Sequence, residues 1–79
     1  MYTVYILISE KDKKRYIGCT SNLNRRLEEH NLGLVKSTKN RRPFKLIYTE
    51  EFSDKSEALN KEKFFKTGKG REYLKNINK

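Results

Sequence analysis

Seventy-nine residues carrying 19 Lys and Arg against 10 Asp and Glu give a formal net charge of +9, an imbalance on so small a body that favours polyanions, nucleic acid first among them. With 34% of residues hydrophobic and 37% charged, the chain fits one small domain with a thin core and leaves no room for a second. Its longest apolar run, Val4 to Ile8, is far too short to span a membrane, so a membrane protein is excluded.

Val4 to Ile8 is β-branched and aromatic enough for a buried strand, Arg15 to Gly18 reads as a shorter one, and Glu10 to Lys14 between them is wholly charged. The pair is a β-hairpin. If its loop contains an even number of residues, Tyr5 and Tyr16 project from the same face of the sheet, because strand side chains alternate. Cys19 follows, the single cysteine. It has no partner for an intrachain disulfide, and the N-terminus lacks a targeting pattern, so the expected location is the reducing cytoplasm. Cys19 is expected to be a small packed side chain and not a nucleophile.

Cys19-Thr20-Ser21-Asn22 offers N-cap residues for a helix from Leu23 to Asn31, with Gly33 beyond its end. At about 100° per residue, Leu23, Leu27, Arg26 and His30 share one face. That face turns an arginine and a histidine toward the body of the domain, while Arg25, Glu28 and Glu29 form the solvated side. Lys36 to Arg42 reads as an aperiodic basic loop ending at Pro43. Phe44 to Phe52 is a third strand, with Phe44, Leu46 and Tyr48 on one face and Lys45, Ile47 and Thr49 on the other.

Asp54 and Glu57 resemble a capping box opening a helix from Lys55 to Thr67, which Gly68 would terminate. Ala58 and Phe65 mark its apolar seam, and Glu62 falls in the middle of that seam. An unpaired buried charge costs several kcal/mol on the order of a lost fold-stabilising contact, so Glu62 calls for a cationic partner, a metal or a cleft. Arg71 to Ile77 is expected to form a short last helix. The Thr67-Gly68-Lys69-Gly70 stretch lacks the spacing of a phosphate-binding loop.

Three segments thus turn polar groups inward: Tyr5 and Tyr16, Arg26 and His30, and Glu62. A guanidinium can clamp a phosphate, a carboxylate can hold hydrated Mg²⁺, and a phenol or imidazole can handle the proton of an attacking water. Phosphodiester cleavage follows as an expectation. A buried Arg26–Glu62 ion pair would also account for both inward charges. Lys36, Lys39, Arg41, Arg42, Lys61, Lys66, Lys69 and Arg71 read as a surface that tracks nucleic-acid phosphates.

On these residues the chain resembles the GIY-YIG endonuclease superfamily, in particular its small stand-alone bacterial members. Thr3-Val4-Tyr5 occupies the place of the first motif triplet, without its glycine and isoleucine. Tyr16-Ile17-Gly18 matches the second outright, Arg26 follows Tyr16 at the family's ten-residue interval, and Glu62 lies in the expected late helix. The resemblance implies an α/β fold, a three-stranded antiparallel sheet flanked by helices in the order β-β-α-β-α-α. It also implies a metal-dependent endonuclease acting on DNA in preference to RNA, in repair or recombination. Glu62 would bind Mg²⁺ or Mn²⁺, Arg26 would contact the scissile phosphate, Tyr5 and Tyr16 would position or deprotonate the water, and His30 matches a frequent active-site histidine. The alternative is a catalytically weak or inactive module of the same fold that binds nucleic acid or docks on a larger protein.

Overall fold

In a computed structural model, which describes residues 1–77, the hairpin forms as β1 (Tyr2–Ser9) and β2 (Arg15–Thr20). Helix α1 (Leu23–Asn31) follows, then a 3₁₀ turn (Lys39–Arg41), β3 (Phe44–Phe52), α2 (Lys55–Phe65) and α3 (Gly68–Ile77). The strands are antiparallel in the order β2-β1-β3, which leaves β2 as an edge. This is the α/β arrangement expected from the sequence.

The hairpin pairs Tyr5 with Gly18, Leu7 with Tyr16 and Ile8 with Arg15. Both tyrosines therefore lie on one face, as diagonal neighbours. The loop is closed by Ser9 N–H donating to the Lys14 carbonyl (3.0 Å) and Lys13 N–H to the Ser9 carbonyl (2.9 Å). Lys13 adopts the left-handed region, at φ 62°.

Helices cover both faces of the sheet. On one, Tyr5, Leu7 and Phe44 form a buried cluster with Tyr16, Leu23, Leu27 and Leu46, so α1 seals this side. On the other, Val4 and Ile6 pack with Ala58, Phe65 and Leu74, so α2 and α3 seal that one. A β-bulge between Ile6 and Leu7 in the β1–β3 pairing divides β3 between the two clusters. Phe44 and Leu46 stay on the α1 side, whereas Ile47 and Tyr48 both pack on the α2–α3 side. The strict alternation expected for Phe44 to Tyr48 fails because the bulge inserts one residue and reverses the faces beyond it.

Three local expectations are also corrected. Helix α2 ends at Phe65, and Gly68 begins α3 instead of closing α2. Thr67 causes the break: its Oγ1 donates to the Phe64 carbonyl (2.6 Å) and accepts from Gly70 N–H (3.1 Å), which makes it the N-cap of the next helix. Asp54 caps α2 by accepting from Ser56 N–H (3.0 Å) instead of through a box with Glu57. The basic segment 36–42, expected as an aperiodic loop, contains the 3₁₀ turn Lys39–Arg41 and is tied to the hairpin. Thr38 is fully buried, the Arg41 carbonyl accepts from the Ser9 hydroxyl (2.6 Å), and the Arg41 guanidinium donates to Asp12 Oδ2 (2.8 Å) and the Lys14 carbonyl (3.1 Å).

Candidate active site

The site is assembled around the free edge of β2. Tyr5 lies on the central strand, 1% exposed, and its ring reaches that edge by crossing Gly18. A Cβ at Gly18 would sit 2.6 Å from Tyr5 Cζ and closer still to the hydroxyl, so only glycine lets the phenol lie there.

Helix α1 supplies the next layer. Asn22 caps it by accepting from Arg25 N–H (3.2 Å), and its inward stripe then presents Arg26 and His30. His30 is fully buried between Tyr5 and Thr38, with Nε2 3.1 Å from the Tyr5 hydroxyl and Nδ1 2.8 Å from Thr38 Oγ1. Thr38 donates its own proton to the Val35 carbonyl (3.4 Å). The hydrogen-bond network therefore assigns the imidazole proton to Nδ1, leaving Nε2 to accept from Tyr5. Burial holds the His30 pKa below the usual imidazole range, with the Arg26 charge adding to the effect and Glu29 opposing it. The ring is neutral, and it packs edge-on against Tyr16, Tyr5 and Phe44, with centroids 4.9, 5.9 and 5.9 Å away.

The Tyr5 pKa is pushed up to about 12, first by burial and then by Tyr16. Arg26 lowers it and Glu62 raises it. Both charges thus act on this one phenol, although Arg26 stands on the α1 face of the sheet and Glu62 on α2 behind it. They do not pair with each other. Arg26 meets Glu29 at 3.4 Å, and Glu62 meets Lys66 at 2.8 Å. Glu29, expected on the solvated side, is half-buried and also meets Arg25 at 3.6 Å.

Tyr16, Ile17 and Glu62 share a cleft of about 750 Å³ with Lys13, Lys14, Arg15, Lys66, Arg71 and Leu74. Glu62 is its one carboxylate among five cations. Of the basic residues singled out in the sequence, Lys66 and Arg71 line this cleft. Lys36, Lys39 and Arg42 are exposed in the segment beyond the end of α1, and Lys69 is exposed at the start of α3. Arg41 is spent on the hairpin, and Lys61 lies over the rings of Phe64, Phe65 and Tyr73, 3.7 Å from Glu50. Lys13, Lys14 and Arg15 were absent from the sequence-based surface, yet their position beside Tyr16 carried the signal. Any hairpin that brings Tyr16 to the site brings its preceding turn to the mouth. Thr38 was also missed, since nothing in a polar segment marks one hydroxyl for burial.

A hydrated divalent ion would have Glu62 alone as its protein ligand here and would have to displace Lys66, which pairs with Glu62 at 2.8 Å. Among the described residues, no three His, Cys, Asp or Glu side chains converge. Glu62 is the carboxylate facing the cleft, and Mg²⁺ characteristically takes one or two carboxylates and completes its shell with water and substrate phosphate. Cys19 faces away from the tyrosines, paired with Val4. Burial and the Glu62 charge raise its thiol pKa, which keeps it a poor nucleophile.

Residues 1–78 match the family model described as the GIY-YIG catalytic domain. The chain is 45% identical over 75 residues to UPF0213 protein SH2523 of Staphylococcus haemolyticus, covering 94% of this chain and 90% of that relative. It is 43% identical over 63 residues to UPF0213 protein YazA of Bacillus subtilis, covering 78% and 64%. The solution NMR structure of UPF0213 protein BH0048 from Bacillus halodurans superimposes with a TM-score of 0.59 at 36% identity, over 98% of this chain and 85% of that one.

Proposed function

The chain belongs to the GIY-YIG catalytic-domain family, a nuclease superfamily, and from that membership we propose that it is a divalent-metal-dependent endonuclease that hydrolyses phosphodiester bonds in DNA, in repair or recombination. The observation that carries this reading is the cleft at the β2 edge, where Tyr16 and Glu62 arrive from opposite sides of the sheet into a cationic lining. Polyanion binding, a phenol that can hold a water and a carboxylate for a cation meet in one space, with Tyr5 packed behind it.

In this reading Arg26, with its side chain 43% exposed, swings from Glu29 to the scissile phosphate and stabilises the charge that develops on its oxygens. Tyr16, on the cleft wall, holds the attacking water. Tyr5 takes the proton as the water oxygen bonds to phosphorus, and passes its own hydroxyl proton to Nε2 of His30. A standing phenolate at Tyr5 is disfavoured by its high pKa, and the transfer to a neutral imidazole avoids one. The departing sugar oxygen is protonated from solvent in the open cleft. Mg²⁺ or Mn²⁺ held by Glu62 would supply charge neutralisation at the phosphate.

The test is incubation with single-stranded, duplex and branched DNA in Mg²⁺ or Mn²⁺, alongside Glu62→Ala and Arg26→Ala. Cleavage that chelator abolishes, and that Arg26→Ala lowers on the order of 10²–10³-fold, is the expected outcome. Cleavage indifferent to Glu62→Ala overturns the assignment. Tight DNA binding without cleavage by the native chain favours a binding module of the same fold.

A further inference from the structure

Where helix α1 ends, Leu32 and Leu34 are 60% and 69% exposed, which is unusual in a chain with so little apolar surface to spare. The turn that carries them is tightly built. Leu34 N–H donates to the Glu29 carbonyl (2.9 Å), Gly33 N–H to the His30 carbonyl (3.2 Å), and Gly33 stands at φ 79°. This is a Schellman helix end, in which the residue after the left-handed glycine ordinarily packs its apolar side chain back onto the last turn. Here the residues waiting on that turn are Glu28 and Glu29, so Leu34 has no apolar partner and projects.

The projection is held from below. His30 fixes Thr38 at 2.8 Å, Asn31 Oδ1 accepts from Phe44 N–H (2.9 Å), and Thr38 N–H donates to the Val35 carbonyl (3.1 Å). Cations flank the tip on the side away from Glu28 and Glu29. The Arg42 guanidinium lies against Gly33, where a Cβ would be 2.9 Å from its Cζ, with Nε donating to the Lys39 carbonyl (2.9 Å). Lys36 and Lys39, in the same segment, are exposed. An apolar tip with positive charge along one side matches a nucleic acid, whose backbone is anionic and whose base faces are apolar. The tip also lies close to the site, because Leu32 follows two residues after His30, whose ring is hydrogen-bonded to Tyr5.

We propose that Leu32 and Leu34 form a wedge that packs against an unstacked base next to the scissile phosphate, with Arg42, Lys36 and Lys39 gripping the flanking backbone. This rests on the nucleic-acid reading above. It adds a selectivity: substrates whose bases part easily, at branches, mismatches or single-stranded steps, are preferred over continuous duplex. Salt-sensitive attraction comes from the cations, and structure selection comes from the leucines.

The experiment compares the native chain with Leu32→Ser/Leu34→Ser, using branched and continuous DNA duplexes that carry 2-aminopurine near the branch or at the matching position. Binding of the native chain to the branched duplex is expected to raise 2-aminopurine fluorescence. The double variant is expected to lose that rise and roughly tenfold or more in affinity for the branched duplex, while the slope of log K against log salt stays the same. Circular dichroism checks that the variant, altered only at exposed positions, stays folded. A fluorescence rise retained in the variant overturns the wedge while leaving the nuclease reading intact. A native chain that binds neither duplex overturns the nucleic-acid reading itself. Leucines found to hold a dimer, seen as native dimers and variant monomers in sedimentation, assign the tip to a second copy and also overturn the wedge.

Discussion

Gly18→Ala tests the geometry of the site without presupposing its chemistry. The substitution places a methyl group 2.6 Å from Tyr5 Cζ, inside the contact distance of two carbons, and closer still to the phenol oxygen. Tyr5 cannot move outward freely, because its ring is packed with Leu7, Phe44, Leu23 and Leu27 and its hydroxyl is bonded to His30 at 3.1 Å. Overpacking of this kind costs about 1–3 kcal/mol, and in a domain this small that lowers Tm by roughly 5–20 °C. Denaturant and thermal unfolding followed by circular dichroism measure the loss. Gly68→Ala, with nothing within 4 Å of the added carbon, is the control and should leave stability unchanged or slightly raised. The decisive comparison is Gly18→Ala in a Tyr5→Phe background, where the atom that comes closest is gone. The cost there should shrink by at least about 0.5 kcal/mol, the coupling expected of residues in contact. If the two substitutions add without coupling, or if Gly18→Ala leaves Tm unchanged, the phenol does not cross the strand at Gly18 and the site as described is wrong. In the cleavage assay the same variant should lose on the order of 10²-fold in rate, the effect of misplacing a reacting group by about 1 Å.

Acid should loosen the site before it loosens the rest of the fold. His30 has a folded pKa below its unfolded value, so its neutral form contributes stability that is fully present above the ordinary value of about 6.5 and lost as pH falls below it. His30→Gln should flatten stability across that window, and an unchanged profile would count against a buried neutral imidazole. Asp12 gives a second, lower window. The Arg41 hydrogen bond holds its pKa down at about 2, so its contribution is present above the ordinary carboxylate value and disappears as pH falls toward 2. Asp12→Asn should remove that dependence, measured by unfolding between those limits. In DNA binding, Arg71→Met should reduce the salt slope by about one unit if it neutralises one phosphate, whereas Arg41→Met, already committed to the hairpin, should leave the slope nearly unchanged. Equal effects of the two would dissolve the distinction between cleft cations and structural ones.

What could be read from the sequence divides along physical lines. The hairpin was legible because a charged segment between two β-branched, aromatic runs has few other solutions, and an even loop puts Tyr5 and Tyr16 on one face. Helix α1 was legible to the residue, since Asn22 can cap and Gly33 can leave the helix in a left-handed conformation. The long-range arrangement was harder. A bulge opposite Ile6 and Leu7 leaves no mark in the pattern of Phe44 to Tyr48, because apolar residues occupy both faces there and either register buries some of them. Gly68 misled because glycine ends helices more often than it begins them, and the deciding residue was Thr67 just before it.

The same distinction explains what was seen of the site. Each inward polar residue was detectable as a local violation: an arginine and a histidine on an apolar stripe, a carboxylate in a seam beside Phe65. Local violations say that a partner exists without saying which. Arg26 and Glu62 were also compatible with a mutual ion pair, and the fold separates them because α1 and α2 cover opposite faces of the sheet. They influence the same phenol only because β2 is an edge strand and Gly18 lets Tyr5 reach across it. That edge also explains why the turn residues Lys13, Lys14 and Arg15 belong to the cleft. A strand with no neighbour on one side leaves that side open to a large substrate, and exposed strand edges carry a hazard of pairing with other chains that positive charge suppresses. The cations at the mouth of this cleft therefore serve two ends at once: they keep the edge from pairing with another strand, and they make it attractive to a polyanion.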